Sequence, residues 1–181
     1  MDQKSIDFVL KDYHELVKRV DSHICRTQNK FSGKIACKRG CDKCCRCLTL
    51  FPVEAFALSA AFIRLPLKLR NKIAQKIKKK EETCPLLIDR ACVLYPERPI
   101  ICRTHGYPIH MEKEGKRQID FCPENFKGVT SFPKEVLLDI EKLNTALVFV
   151  NHGFTGSIET DAPLPERIPV SEALFILVGK E

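Results

Sequence analysis

Residues 37–47 read Cys-Lys-Arg-Gly-Cys-Asp-Lys-Cys-Cys-Arg-Cys and hold five of the ten cysteines of the chain. Four more cysteines follow at wide intervals, each beside a turn or strand signal: Cys84, Cys92, Cys102 and Cys122. Thiolate is the soft ligand that selects zinc, copper(I) or iron-sulfur clusters. A tight first group followed by spread partners lets distant segments converge on shared ions, so this stretch predicts a metal-binding framework.

The rest of the chain is compatible with one domain, 1–181, since 181 residues is close to a typical domain size and no Gly/Ser-rich tract divides it. The first twenty residues alternate charged and apolar side chains and lack the apolar run of a secretory signal. We therefore expect reduced thiols in the cytoplasm rather than disulfides. No apolar stretch approaches the roughly 20 residues of a membrane span, so no membrane partner is expected.

Apolar residues at helical spacing predict five helices. Short runs rich in apolar residues predict strands at 86–88 and 91–95 and a hairpin formed by 109–111 and 118–121. The predicted fold class is mainly α (α+β), a small helical bundle with an irregular, β-hairpin-containing cysteine-rich segment. The predicted helices cover 5–28, 52–65, 66–82, 131–149 and 172–178, the last capped by Ser171.

Several metal sites are compatible with the first cysteine group. The spacing Cys37-x3-Cys41-x2-Cys44 is that of radical S-adenosylmethionine enzymes, but the chain lacks the repeated β-α units of their barrel. Zinc sites usually use paired C-x2-C knuckles, and Cys41-x2-Cys44 is the one clean example, whereas iron-sulfur clusters tolerate irregular spacing better. Cys44 and Cys45 point in different directions along the backbone, so they serve two centres, or one is a ligand and its neighbour packs.

A larger pattern surrounds these cysteines. It continues with Cys84-Pro85-Leu86-Leu87, then Cys92-x2-Tyr95-x2-Arg98-Pro99-x2-Cys102-Arg103, and ends at Cys122. This pattern resembles the YkgJ-type cysteine-cluster family, the CxxCxxCC zinc- or iron-chelating domain, over a core of about 36–123 flanked by helical segments 1–35 and 131–181. The resemblance implies a cofactor that is an iron-sulfur cluster, typically 4Fe-4S, or zinc. It implies these ligands: Cys37, Cys41, Cys44, Cys45, Cys84, Cys92, Cys102 and Cys122.

Two cysteines lie outside the implied ligand set. Cys25 follows Ile24 on the predicted packing side of the first helix, so we expect it to be buried as a small hydrophobe. Cys47 either replaces a ligand or hydrogen-bonds a cluster sulfur.

Other polar residues near the cysteines have simpler interpretations. Arg98 and Arg103 bracket Cys102 and are expected to offset the charge of a thiolate centre, a structural role. Glu54 is expected to stabilise a helix start through the helix dipole. The remaining three are a loop histidine and two aromatic residues expected to pack in short strands: His105, Tyr95 and Tyr107.

The formal net charge is +7, and two four-thiolate centres of about −2 each would reduce it to roughly +3. That excess does not predict nucleic-acid binding, which also needs basic residues aligned with aromatic ones. Helix 66–82 carries a strongly basic outer face that includes Lys76, and a protein partner through this face is one prediction.

Three functions follow as expectations. The first is a metal-binding protein with one or two cysteine-ligated centres, iron-sulfur preferred over zinc, of unknown downstream role. The second is an iron-sulfur-dependent protein-modifying enzyme, because the cysteine region also resembles that of the flagellin lysine N-methylases, although this chain is much shorter and lacks a Gly-rich methyl-donor loop. The third is a metal transfer or storage protein. Whether the chain is an enzyme stays open at this point.

Overall fold

The structure is a computed structural model that describes residues 3–113, 115–159 and 163–178. It is mainly helical with three small sheets, which confirms the predicted fold class. The α-helices are α1 Gln3–Val9, α2 Lys11–Lys30, α3 Pro52–Ile63, α4 Leu67–Lys78, α5 Ile100–Thr104, α6 Ile140–Ser157 and α7 Val170–Ala173. The strands are β1 Thr49–Leu50, β2 Leu87–Ile88, β3 Ala91–Cys92, β4 Ile109–Lys113, β5 Lys116–Asp120, β6 Leu138–Asp139 and β7 Ile168–Pro169. Among the described residues, no helix combines the length and the apolarity that crossing a bilayer requires.

The predicted first helix forms α1 and α2, which are separated by Leu10. Tyr13, Val20 and Ile24 recur at helical spacing on α2 and are buried against α3 and α6. This apolar stripe explains why the segment is helical, since packing of one face supplies most of the stability of such a helix.

Helix α3 lies at the centre of the molecule and is buried on nearly all sides. Pro52 occupies its first turn, where a missing N–H costs nothing and the fixed φ suits a helix. Its two faces contribute to two apolar clusters, one shared with α2 and α6 and the other with α4 and α7.

Helix α4 is shorter than the predicted 66–82, since it ends at Lys78 and Lys80 has a positive φ of 51°. Ile73 is fully buried, whereas most basic side chains of the helix face solvent. Lys76 is an exception that corrects the prediction: its side chain is 17% exposed, and its Nζ donates to the carbonyl oxygen of Leu87 at 2.8 Å.

The three sheets are all small. Strands β2 and β3 form an antiparallel hairpin whose turn residues, Asp89 and Arg90, both have positive φ, as a two-residue type I′ turn requires. Strand β4 pairs antiparallel with β5, as predicted, and parallel with β6, which was not predicted. The turn residue Glu114 lies outside the described residues.

The predicted helix 131–149 is wrong at both ends. Residues Lys134–Val136 form a 3-10 turn, and Leu138 pairs with Ile109 of β4, so α6 begins only at Ile140. Pairing with β4 overrides the local helical periodicity there. The helix also continues past Asn151, whose Oδ1 accepts the N–H of Val53 at 3.1 Å and so satisfies the start of α3.

The last predicted helix, 172–178, is also displaced. Helix α7 begins at Val170, directly after Pro169, and ends at Ala173. Ser171 therefore lies inside the helix instead of capping it. The expected docking is confirmed, because Ala173 and Leu174 are fully buried against the second apolar cluster.

Candidate metal centre

The eight cysteines expected as ligands lie on five parts of the fold. Four are in the irregular loop before β1, one precedes β2, one ends β3, one is in α5, and one follows β5. None of the ten cysteines is in a disulfide.

The backbone brings Cys45, Cys84 and Cys92 together. The N–H of Cys84 donates to the carbonyl oxygen of Cys45 at 3.1 Å. An antiparallel bridge also joins Arg46, which follows Cys45, to Thr83, which precedes Cys84. Leu87, three residues after Cys84, pairs with Cys92 across the β2–β3 hairpin. The three thiols are therefore adjacent because of main-chain hydrogen bonds, independently of what the side chains bind.

Two backbone amides influence the thiols of this region. Burial raises the pKa of Cys84 and of Cys92, and the main-chain amides of Leu86 and Leu94, respectively, oppose that rise. In each case the amide lies two residues after the cysteine. An N–H near sulfur favours the charged thiolate over the neutral thiol.

Cys102 completes this group from the first turns of α5. Burial raises the pKa of Cys102 to about 12, and the charges of Cys84, Cys92 and Cys45 raise it next. The influence of these three thiols on Cys102 indicates that the four lie in one neighbourhood, which Cys44 borders through its effect on Cys45. We call it the hairpin set: Cys45, Cys84, Cys92 and Cys102.

The hairpin set consists of neutral thiols in the metal-free protein. Burial raises the pKa of Cys45 to about 12 and that of Cys84 to about 11; the neighbouring thiols add to both effects, Cys44 first at Cys45 and Cys92 first at Cys84. A metal ion binds thiolates, so it would have to displace these protons.

A second neighbourhood forms in the loop before β1. Tight turns fold the loop, since Cys41 N–H donates to the carbonyl of Lys38 and Cys45 N–H to that of Asp42, both at 2.9 Å. Partial burial raises the pKa of Cys37, and the nearby Cys41 and Cys44 thiols raise it further.

Asn125 positions Cys122 beside this loop. Its own N–H donates to the carbonyl of Cys122, its Oδ1 accepts the N–H of Ala36, and its Nδ2 donates to the carbonyl of Gly106, all at 2.9 Å. Cys122 therefore lies next to the residue that precedes Cys37. We call this group the loop set: Cys37, Cys41, Cys44 and Cys122.

Gly106 makes the approach of Cys122 possible. It has a φ of +86°, and a Cβ at this position would lie 3.2 Å from the Cβ of Cys122 and 3.0 Å from Nδ2 of Asn125. Glycine alone meets both conditions without strain.

Arg90 joins the loop to the β2–β3 turn. Its carbonyl accepts the N–H of Gly40 at 3.2 Å, and its guanidinium donates to Asp42 at 3.0 Å and to the carbonyl of Gly40. The ion pair is exposed, so its net energy is small, but these bonds fix where the loop crosses the hairpin.

The two cysteines outside the implied ligand set are both exposed. The prediction that Cys25 is buried is wrong, because the position lies on the solvent side of the Ile24 stripe, where its sulfur accepts a long 3.8 Å contact from Asn29. The Cys47 thiol donates to the carbonyl of Thr83 at 3.5 Å. After burial and Cys92, it also contributes to the raised pKa of Cys84. It thus lies at the edge of the hairpin set.

The two arginines that bracket Cys102 have different surroundings. Arg103 is buried and donates to both carboxylate oxygens of Asp21, at 2.8 and 2.7 Å, and to the carbonyls of Arg98 and Pro96, so it links α5 to α2. Its role is structural, as expected, but its charge is balanced by Asp21.

Arg98 is the arginine that faces the thiols. Burial raises the pKa of both Cys37 and Cys92, and the guanidinium of Arg98 opposes that rise at each. The guanidinium carbon lies 3.6 Å from the centre of the Tyr95 ring, a cation-π contact. Among the described residues, its Nε is one of two buried side-chain polar atoms that lack a hydrogen-bond partner.

The remaining polar candidates do not face the thiols as ligands. Glu54 is buried, and its carboxylate accepts the N–H groups of Phe51 at 3.3 Å and Ile100 at 2.9 Å, so it acts at a helix start as expected and also fixes α5. His105 is an exposed residue at the end of α5. Tyr107 packs in a bend, not in a strand, with its hydroxyl 2.6 Å from Nε2 of Gln28, while Tyr95 is exposed in a 3-10 turn, which corrects the expectation that it packs.

Within residues 3–113, 115–159 and 163–178, no three His, Cys, Asp or Glu side chains stand close enough together to hold one metal ion as they are. The thiols are neighbours that would have to move inward around an ion. Comparison with family models, curated proteins and solved structures gives no match to this chain.

Proposed function

We propose that this chain is a metal-binding protein whose cysteines hold thiolate-ligated centres, iron-sulfur in preference to zinc. The observation that carries the proposal is the main-chain pairing that brings Cys45, Cys84 and Cys92 from separate segments to one place. Thiols of distant segments that meet in this way are the arrangement that a cysteine-ligated centre uses. Burial raises the pKa of Cys84 and of Cys92, and nearby main-chain amides oppose that rise, as contacts that favour a thiolate ligand do.

The donor set fits either cofactor. Both neighbourhoods offer thiols alone, which suit a 4Fe-4S cluster or a tetrahedral zinc ion. We prefer the cluster because the spacing in 37–47 lacks the paired knuckles typical of zinc. A bound cluster would supply one-electron chemistry, whereas zinc would stabilise the fold.

The test is to purify the protein without oxygen and to measure its visible spectrum together with iron, zinc and inorganic sulfide per chain. We expect a brown protein with matched iron and sulfide. A colourless protein with zinc and no sulfide would contradict the iron-sulfur part of the proposal. A protein that holds neither metal, even after reconstitution with iron and sulfide or with zinc, would contradict all of it.

Ligand substitutions provide the second test. Cys41→Ser and Cys102→Ser should each lower the metal content and the melting temperature, because losing a ligand costs folding free energy. Cys25→Ser is the matched control, since Cys25 is exposed on α2. If the three variants keep the same metal content and melting temperature, the proposal fails.

Metal transfer is a second candidate, favoured by the exposure of Cys37 and Cys44. Exposed thiolates can pass an ion to another protein, and the exposed lysines of α4, such as Lys68 and Lys72, would attract an acidic partner. Rapid metal loss to a mild chelator would favour transfer, whereas a closed site releases its ion slowly. We propose a cytoplasmic location for either function, because all ten cysteines are free.

A further inference from the structure

We infer that Cys45 and Cys84 form a disulfide bond when the protein meets a small oxidising disulfide such as oxidised glutathione, which makes this pair a redox modification site. The inference follows from main-chain pairing and needs no bound metal. Its consequence rests on the proposed function: both cysteines are expected ligands, so the disulfide would take two thiolates away from a metal centre.

The two cysteines stand opposite each other in an antiparallel pairing. Arg46 and Thr83 form an antiparallel bridge. Because Cys45 precedes Arg46 and Cys84 follows Thr83, the same register sets the two cysteines opposite each other. The N–H of Cys84, which donates to the carbonyl oxygen of Cys45 at 3.1 Å, belongs to this register. Side chains of opposite residues leave the backbone on the same side, so the two thiols lie on one face.

This register suits a disulfide bond. Opposite residues that are hydrogen-bonded across an antiparallel pair have Cα atoms about 5.5 Å apart. In disulfides the two Cα atoms lie most often roughly 5.5–6 Å apart, and a separation above about 7 Å prevents the bond unless the backbone moves. The main chain therefore holds Cys45 and Cys84 at a separation that a disulfide accepts, and neither segment has to unfold.

Two neighbouring cysteines fit less well. Cys47 is two residues along from Cys45 on the same face, which makes it the diagonal neighbour of Cys84, at a Cα separation of about 7–8 Å. Cys44 adjoins Cys45 along the chain, and the Cα atoms of adjacent residues are about 3.8 Å apart, below the usual range for disulfides. Of these neighbours, Cys84 is the partner that the geometry favours for Cys45.

The surroundings allow the small adjustment that bond formation needs. The N–H of Cys45 donates to the carbonyl oxygen of Asp42 at 2.9 Å, and the carbonyl oxygen of Cys84 accepts the N–H of Leu87 at 3.0 Å, so neither group is committed to the opposite segment. Cys84 packs against the second apolar cluster, which makes its position the firmer of the two. Both cysteines are half-buried and not fully enclosed, which leaves access for a small oxidant.

The reaction balances with oxidised glutathione as the oxidant. One of the two cysteines, as thiolate, attacks a glutathione sulfur and releases the first glutathione, which leaves a mixed disulfide on the protein. The other cysteine attacks the protein sulfur of that mixed disulfide and releases the second glutathione. The protein loses two protons and two electrons, while one disulfide bond is broken and one is formed.

The new bond would close a loop that contains all of α3 and α4. A cross-link over a segment of this length restricts the unfolded chain more than the folded one. The oxidised, metal-free protein should therefore melt at a higher temperature than the reduced, metal-free protein.

The experiment equilibrates the metal-free protein with oxidised and reduced glutathione, traps the remaining thiols with N-ethylmaleimide, and maps the disulfides after trypsin digestion. Trypsin releases Cys84 in the peptide 81–90, and Cys45, together with Cys44, in the peptide 44–46. We expect these two peptides to be joined. They should stay joined in Cys44→Ser, which identifies Cys45 as the partner.

Three results would overturn the inference. They are a Cys84 joined to another cysteine, a Cys84 that N-ethylmaleimide still traps after incubation in oxidised glutathione alone, and a link that disappears in Cys44→Ser. Cys47→Ser is the matched control, since Cys47 is exposed on the same face, and it should keep the link.

The melting temperature provides a second readout. Oxidation should raise it in wild type and in Cys47→Ser, and the gain should be absent in Cys45→Ser and in Cys84→Ser. A melting temperature of oxidised wild type below that of the reduced protein would mean that the disulfide distorts the fold, and it would overturn the geometric argument.

Zinc binding, counted by native mass spectrometry, separates this inference from the proposed function. The oxidised chain should hold fewer zinc ions than the reduced chain and should recover them after dithiothreitol. An unchanged zinc count in a chain that carries the disulfide would overturn the effect on the metal centre. A reduced chain that binds neither zinc nor a cluster would overturn the proposed function, while the peptide map still decides whether the disulfide forms.

Discussion

Glu54 accepts the N–H of Ile100 at 2.9 Å, and this bond joins the start of α3 to the start of α5. The second carboxylate oxygen accepts the N–H of Phe51 at 3.3 Å. Because Cys102 lies two residues after Ile100, one buried carboxylate sets the position of a candidate ligand.

Glu54→Ala should lower the free energy of unfolding by about 2–6 kcal/mol, since it leaves two amides without an acceptor at about 1–3 kcal/mol each. Urea denaturation of the metal-loaded protein measures the change. Glu97→Ala is the matched control, because Glu97 is exposed and makes only a 4.0 Å ion pair. Equal losses in the two variants would contradict the role of Glu54.

The Glu54 carboxyl should also give stability a distinct pH dependence. Burial raises its pKa above the ordinary 4.5, although the amides of Ile100 and Phe51 oppose the rise. A raised pKa means that the stabilising contribution is complete below pH 4.5 and is lost as pH rises through the folded-state pKa. The difference in unfolding free energy, wild type minus Glu54→Gln, should therefore decrease as the pH is raised from 4.5 through the folded-state pKa of Glu54. If it rises with pH, the ionised form is favoured and the prediction is wrong.

Arg103→Ala should destabilise the metal-loaded protein by about 1–3 kcal/mol, the cost of a buried polar group left unpaired, because the carbonyls of Arg98 and Pro96 lose their donor. The Arg103 side chain is only 6% exposed, whereas the Asp21 side chain is 46% exposed, so water can replace the lost partner of Asp21 and the carbonyls dominate the loss. Arg103→Lys should recover only part of this loss, because the ammonium keeps the positive charge but lacks the planar set of donors of a guanidinium. Full recovery by lysine, seen in the melting temperature, would show that charge alone matters.

Asn125→Ala should weaken metal binding that involves Cys122. It removes the bonds to Ala36 and Gly106 that hold the chain around Cys122 against the start of the loop. Zinc titration should then show an affinity lowered about 10- to 100-fold, the range for residues that orient ligands. Asn29→Ala, an exposed asparagine on α2, is the control. Equal zinc affinities of the two variants would contradict a role of Cys122 as a ligand held by Asn125.

Arg98→Gln should weaken metal binding, because the guanidinium opposes the rise in pKa that burial causes at Cys37 and Cys92. Chelator competition should show the lower zinc affinity, and high salt should reduce the difference between variant and wild type only slightly, since the guanidinium is half-buried. Arg64→Gln, an exposed arginine, is the control. An unchanged zinc affinity of Arg98→Gln would contradict this electrostatic role.

Sequence periodicity was sufficient for the helices whose own apolar face decides their position. The stripe of α2 and the apolar residues of α3 predicted both elements, because burial of these faces stabilises them. The start of α6 could not be predicted, because Leu138 forms a strand by pairing with Ile109, a residue remote in sequence. Asn151 signalled a helix end but instead satisfies the start of another helix.

The candidate site was likewise predicted only in part. The sequence indicated the cysteines but not the residues that position them, because that positioning depends on hydrogen bonds between residues distant in sequence. Asn125 follows Cys122 by three positions and carries a turn-favouring side chain, which was the one available signal for it. Asp21 and Arg90 gave no signal, since their partners lie far along the chain. The exposure of Cys25 shows that a helical face cannot be assigned to one residue from its neighbour alone.

The pairing of β1 with β7 has a consequence for biosynthesis. Strand β1 and the loop before it leave the ribosome early, whereas the partner strand and the residues that bond Ser59 are made near the end of the described chain. During translation the nascent thiols are therefore exposed before their support is complete. Oxidants or stray copper would reach them most easily in that interval, so oxidative damage to these thiols is expected mainly while the chain emerges.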